Sequence, residues 1–68
     1  MSEALGEGFP KEQARAREVL GYYREIGPAG AFGAAMIEDV LRRADEAAIS
    51  GDLPMMIRVY QEMKDIEA

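Results

Sequence analysis

The sequence predicts a small, all-helical protein, and three observations support this fold class. Apolar residues recur at helical spacing in three segments. The dipeptide Gly27-Pro28 and the tripeptide Ser50-Gly51-Asp52 separate these segments in the manner of helix ends. The chain of 68 residues is long enough for one domain at most. We therefore expect three helices, over about 10–26, 30–50 and 53–66, with the second and third forming an antiparallel hairpin.

The first helix is expected to follow an unstructured N-terminus. Residues 1–9 contain two glycines and two glutamates without periodicity, so we predict a flexible arm there and a single helical domain over 10–68. Pro10 is suited to the first turn of a helix. The apolar residues that follow at helical spacing are Ala16, Val19, Leu20, Tyr23 and Ile26. Gly27 provides a left-handed stop, and Pro28 prevents continuation.

The second helix is expected to begin within residues 29–32 and to end at Ser50. Its outer face carries two acid-before-base pairs at a spacing of four, Glu38 with Arg42 and Asp39 with Arg43. Its apolar positions are Gly33, Ile37, Val40, Leu41, Ala44 and Ala48.

The third helix is expected to begin after Asp52, whose side chain can accept a hydrogen bond from a backbone N–H beyond Pro54. Two apolar stripes follow, one of Leu53, Ile57 and Tyr60 and the other of Met56, Val59, Met63 and Ile66. Together they cover more of the circumference than one neighbouring helix can bury. Either the first helix or another subunit covers the second stripe. We predict a homo-oligomer whose interface contains Met36, Met56, Val59, Tyr60, Met63 and Ile66.

The composition also favours self-association. A chain of this length buries only about 60% of the surface that its unfolded form exposes. Disulfides, a structural metal or oligomerisation usually compensate, and the sequence has no Cys and no His. The missing cysteines fit a reducing compartment. We see no signal peptide and no apolar stretch of the ~20 residues that a membrane span needs, so we expect a cytoplasmic protein that does not contact membranes.

The residue inventory argues against catalysis and against nucleic-acid binding. Without His or Cys, a nucleophile would have to be a serine, a tyrosine or a lysine, and Ser50 has no candidate base near it in the sequence. The carboxylates of the second helix lie at helical spacing from arginines, which is typical of solvated ion pairs. A net charge of −5 opposes binding to DNA or RNA. We expect no enzymatic activity, no cofactor and no bound metal.

Residues 22–36 form the segment whose composition points to a ligand. Glycines at 27, 30 and 33 surround the start of the second helix, where free backbone N–H groups can bind a phosphate or carboxylate. An arginine before the turn can pair with the same anion, and aromatic rings can stack on a base. The predicted ligand-binding residues are Tyr22, Tyr23, Arg24, Gly30, Phe32 and Gly33. The same pattern also fits close packing of the first two helices.

The hairpin resembles part of a known repeat family. The run ADEAAISGD (residues 44–52), followed by Ile57, Tyr60 and Met63, combines a small-residue helix, a Gly-Asp turn and an apolar-x-x-Tyr helix. Over roughly twenty residues this resembles the turn region of a tetratricopeptide repeat, although a solenoid requires several stacked repeats. The resemblance implies a shared hairpin geometry.

A second resemblance covers the chain from Gln13 to Lys64. The run YREIGPAGAFGAAMI (residues 23–37), together with Ser50-Gly51-Asp52, is similar to small proteins encoded by tailed phages and prophages of Gram-negative bacteria. Small accessory phage proteins commonly bind and neutralise host factors, including antiviral defences. The resemblance therefore implies a context, and it assigns no functional residue.

Three hypotheses of function remain open at this point. The first is a non-enzymatic counter-defence protein that sequesters a small nucleotide signal in pockets near the Gly-rich start of the second helix. The alternative is an inhibitor that binds a host defence or regulatory protein through an acidic, Met-rich helical surface. The third is a structural piece of a phage particle or a regulator of lysogeny.

Overall fold

The computed structural model describes residues 4–67, and every regular element in this range is helical, which confirms the predicted fold class. Helix α1 spans Leu5–Ile26, a short 3₁₀-helix spans Gly27–Gly30, α2 spans Ala31–Ser50 and α3 spans Leu53–Lys64. The 3₁₀-helix joins α1 directly to α2. The described chain therefore has two uninterrupted helical stretches, 5–50 and Leu53–Lys64, whereas the sequence predicts three helices.

Helix α1 begins at Leu5 and not at Pro10, so residues 5–9 are helical where a flexible arm is predicted. Residues 1–3 lie outside the described range. Pro10 lies inside the helix, where proline removes a backbone hydrogen bond and can cost about 3 kcal/mol. Phe9 is buried to 2% exposure, and burying such a side chain contributes about 1.5–3 kcal/mol. The burial of Phe9 offsets most of that cost.

The Ser50-Gly51-Asp52 turn forms as the sequence predicts, whereas the predicted left-handed stop at Gly27 does not, because its ψ is −143° and a 3₁₀-helix continues through Pro28 into α2. Gly27 ends α1 with a φ of 83°, and its N–H donates to the carbonyl oxygen of Arg24. Gly51 ends α2 in the left-handed region with a φ of 70°, a conformation that glycine adopts without steric cost. The Asp52 carboxylate caps α3 by accepting a 3.2 Å hydrogen bond from the Met55 N–H. The predicted start of α2 and the predicted cap of α3 are confirmed.

Helices α2 and α3 form the predicted antiparallel hairpin. Met55 lies near Ala47, Glu62 pairs with Arg43, and Ile66 lies near Met36. Residue numbers therefore rise along α3 as they fall along α2. Near the turn Ala47 is buried and Ala48 is exposed, the reverse of the expected pattern, since α3 packs on the side of Ala47.

Helix α1 packs against both members of the hairpin, and this creates two groups of buried apolar residues. One group joins α1 to α2 and comprises Ala16, Val19, Leu20, Ala34, Ile37 and Leu41. The other joins all three helices and comprises Phe9, Ala44, Val59 and Met63. Among residues 4–67 no polar or charged side chain is buried.

Helix α1 contacts the end of α3 through hydrogen bonds from Arg15. Helix α3 ends at Lys64, two residues before the predicted end. The Arg15 guanidinium donates hydrogen bonds to the carbonyl oxygens of Met63 (2.6 Å) and Ile66 (2.8 Å). The Met63 carbonyl oxygen also accepts a hydrogen bond from the Ile66 N–H, so Arg15 adds to the bonds at the end of α3 and ties the chain after it to α1.

Candidate functional site

Gly30 of the predicted ligand site is a packing position. Gly30 is buried, and a Cβ added there would overlap the carbonyl oxygen of Tyr23 and lie 3.0 Å from its carbonyl carbon. Gly30 therefore allows the end of α1 to lie directly against the start of α2. At Gly33 an added Cβ would lie 3.4 Å from the Tyr23 ring, which is an ordinary van der Waals contact. The packing explanation of this segment therefore accounts for Gly30.

The start of α2 is not an open helix N-terminus. The 3₁₀-helix precedes it without a gap, and the Ala31 N–H already donates to the carbonyl oxygen of Pro28. An anion at this position would have to compete with that internal bond, since a backbone N–H donates one strong hydrogen bond.

The remaining predicted ligand residues separate into different surfaces. Arg24 is exposed and pairs with Glu38. The sequence pattern predicted that Glu38 would pair with Arg42 instead. Tyr23 and Arg24 together line an open depression of about 390 Å³ beside Pro28 and Ala35. Phe32 does not line this depression. The structure therefore brings together Tyr23 and Arg24 and places the other four residues, Tyr22, Gly30, Phe32 and Gly33, outside the depression.

A second concavity lies between α2 and the end of α3, and we call it the α2/α3 groove. Its volume is about 300 Å³. Its apolar lining comes from Tyr23, Gly33, Met36, Ile37, Val40 and Ile66, and its acidic lining comes from Glu62, Asp65 and Glu67. The Tyr23 hydroxyl donates a 2.9 Å hydrogen bond to the Glu67 carbonyl oxygen. This bond holds the chain after α3 as one wall of the groove.

Two large apolar side chains stand exposed beside the α2/α3 groove. Phe32 is 79% exposed and Met36 is 56% exposed. They lie four residues apart and hence on one face of α2. Both also line a neighbouring hollow that ends at Glu62, and this hollow shares Met36 and Val40 with the groove.

Ion pairs determine the charge at the groove. Arg43 donates two hydrogen bonds to Glu62, of 2.8 and 2.7 Å, and one to Asp39 of 3.0 Å. The bonds from Arg43 lower the pKa of Glu62. Bonds from Arg42 and then Arg43 lower the pKa of Asp39, and the bonds to Glu62 raise the pKa of Arg43. Glu62 and Asp39 are therefore compensated by arginine, which leaves Asp65 and Glu67 as the acidic groove residues outside this cluster.

The predicted oligomer interface is wrong in part. Val59 and Met63 are fully buried against Phe9 and Ala44, because α1 is longer than predicted and covers this stripe of α3. Tyr60 stacks on Phe9 with ring centroids 6.4 Å apart. Met56 and Ile66 are half-buried against the core. Of the six predicted interface residues, only Met36 is largely exposed.

The exposed stripe of α3 is the one expected to be internal. Leu53 is 60% exposed and Ile57 is 55% exposed. Coverage of the second stripe by α1 was one of two alternatives that the apolar spacing left open, and the burial of Val59 and Met63 against Phe9 confirms it. The missing signal was the spacing of Leu5 and Phe9, which extends the apolar periodicity of α1 toward the N-terminus.

The fold and the groove define a small helical protein with an open, apolar and acidic surface. Among residues 4–67, no set of three acidic side chains could hold a metal ion, and no helix is long and apolar enough to cross a membrane. No protein-family model, curated protein or solved structure matches this chain.

Proposed function

We propose that this chain is a non-enzymatic protein-binding protein whose α2/α3 groove takes a basic, amphipathic helix of a partner. One observation supports the proposal above all others. Phe32 and Met36 stand exposed beside an apolar groove that acidic residues border. Clustered exposed apolar side chains on a small protein mark interaction surfaces, and aromatic and methionine side chains are enriched in them.

The chemistry of the groove specifies the partner segment. Apolar side chains one helical turn apart would contact Phe32, Met36 and Val40, as in other grooves that take an amphipathic helix. Lysine or arginine side chains on the flank of that helix would face Asp65 and Glu67. The flexible thioether of Met36 would adapt to the partner's shape.

The resemblance of residues 23–37 to small phage-encoded proteins, proposed from the sequence, would give this function a biological context. A protein of that kind would bind a host defence or regulatory protein and block it by occupying its surface. The sequence placed the partner-binding surface of such an inhibitor on the methionine-containing stripe of the third helix. We place it instead at the acidic, partly methionine-lined surface of the α2/α3 groove.

The direct test uses a synthetic amphipathic helical peptide of leucine and lysine as the probe. Backbone amide shifts in NMR should change around Phe32, Met36 and Glu67, and titration calorimetry should give a saturable isotherm. Met36→Asp should weaken binding about tenfold or more, which corresponds to about 1.4 kcal/mol. The matched control is Ile49→Asp, which replaces an exposed apolar residue of α2 outside the groove. Equal binding by both variants, or shifts spread evenly over the acidic surface, would refute the proposal.

A second candidate is the sequestration of a small nucleotide, and the depression beside Arg24 favours it. Its volume of about 390 Å³ lies within the range of small-molecule sites. An anionic ligand would have to displace Glu38 from Arg24. A neighbouring subunit would have to close the open side of the depression.

Native mass spectrometry of protein purified from a bacterial host tests this candidate, because a retained nucleotide appears as added mass. Arg24→Ala should abolish the added mass. Arg42→Ala is the matched control, since the two arginine side chains are equally exposed and both are ion-paired. Protein that carries no added mass, and that shows no amide shifts at Arg24 when titrated with ATP, would remove this candidate.

A further inference from the structure

The exposed edge of α3 is apolar with a basic neighbour, in contrast to the acidic chain as a whole. Leu53 and Ile57 lie one helical turn apart and are both exposed. Lys64 follows Ile57 by seven residues and so lies on the same side of the helix, with its ammonium 5.0 Å from the centre of the Tyr60 ring. We call Leu53, Ile57 and Lys64 the α3 outer face.

The α3 outer face has the chemistry that the α2/α3 groove requires of its partner. It is helical, it presents two large aliphatic side chains at a spacing of four, and it carries the positive charge of Lys64. The groove offers an apolar lining with Asp65 and Glu67 beside it. Opposite charges around apolar contacts favour one docking orientation over others.

We propose that the α3 outer face of one copy docks into the α2/α3 groove of a second copy. This inference rests on the proposed function, because it uses the same groove and names a partner for it. Self-association would bury the exposed apolar residues of a chain whose own core is small. It would also cover the groove until a partner protein with a stronger segment displaces the second copy.

The positions of the two surfaces determine how the copies associate. On α3, Ile57 and Glu62 are five residues apart and so lie roughly 140° apart around the helix axis. One copy can therefore donate its outer face and receive another copy in its groove at the same time. Such a head-to-tail contact does not close into a symmetric pair by itself.

Sedimentation velocity of the full chain over a range of concentrations tests the inference. The wild-type mass should rise above that of the monomer with concentration. Met36→Asp and Ile57→Asp should each be monomeric. Ile49→Asp, a change of the same kind outside both surfaces, should associate like the wild type. Circular dichroism verifies that all three variants remain helical.

Mixing the two monomeric variants gives the decisive result. The Met36→Asp chain retains its α3 outer face and the Ile57→Asp chain retains its groove, so the mixture should form a one-to-one dimer and nothing larger. A mixture that stays monomeric overturns the inference. A wild type that is monomeric at every concentration overturns it as well, and so does association lost in only one of the two variants, which would indicate a symmetric contact.

The same variants separate this inference from the proposed function. Ile57→Asp leaves the groove unchanged and should still bind the leucine and lysine peptide. Peptide binding without self-association overturns the inference and leaves the proposed function standing. Self-association without peptide binding at the groove contradicts the proposed function.

Discussion

Replacing Phe9 by alanine should remove a large part of the free energy of unfolding. The Phe9 ring is 2% exposed and packs against Ala44, Val59 and Met63. Truncation of a buried phenylalanine costs about 3–5 kcal/mol, through lost burial and the cavity that remains. Natural domains have about 0.05–0.15 kcal/mol of stability per residue, which gives about 3–10 kcal/mol for a chain of this length. The substitution should therefore remove between a third and all of the stability.

Urea and thermal denaturation, followed by far-UV circular dichroism, measure this loss. A loss of about 3 kcal/mol corresponds to a fall in Tm of at least about 12 °C in a domain this small. Phe32→Ala is the matched control, because Phe32 is 79% exposed and a change at such a surface position should stay within about 0.5 kcal/mol. A Phe9→Ala protein as stable as the control would refute the placement of residues 5–9 in α1 and restore a flexible arm.

Two further predictions concern the helix crossing and the ion pair at the groove. Gly30→Ala should destabilise the fold by about 1–3 kcal/mol, because its Cβ would overlap the Tyr23 carbonyl oxygen. Gly21→Ala, at a helical site with free space, should instead gain about 0.5–1 kcal/mol in the same urea titration, and equal effects would refute the packing role. For Glu62, bonds from Arg43 hold the pKa below the ordinary value of 4.5, so this stability is present above that pH and is lost as the pH falls through the lowered pKa. Glu62→Gln should flatten this part of the stability profile measured from pH 7 to pH 3, by at most about 1 kcal/mol, and an unchanged profile would contradict the assignment.

The end of α1, both ends of α2 and the start of α3 were predictable because local chemistry determines them. Gly27 and Gly51 adopt positive φ values at the ends of α1 and α2, and glycine is the residue that does so at least cost. Asp52 caps α3 through a neighbour three residues away. Such interactions involve only residues close in sequence, so they can be predicted from the sequence alone.

The candidate site was predictable only in part. The sequence singled out residues 22–36, and the structure places Phe32, Gly33 and Met36 of that segment at the α2/α3 groove or its edge. Asp65 and Glu67 could not be assigned to it, because their position depends on where α1 holds the end of α3. That position comes from the bonds of Arg15 to carbonyl oxygens 48 and 51 residues away.

By itself, the sequence determined the helical class, the turn at Ser50-Gly51-Asp52 and the antiparallel hairpin. Only the tertiary structure decided that α1 starts at Leu5, that Val59 and Met63 are buried, and that Leu53 and Ile57 are exposed. The physical reason is that the sequence of an amphipathic helix determines which side chains are driven out of water. Chain geometry determines which other helix covers them. Helix α3 has two apolar stripes, and α1 covers one of them. Because α1 begins at Leu5 and buries Phe9, it covers the stripe that contains Val59 and Met63.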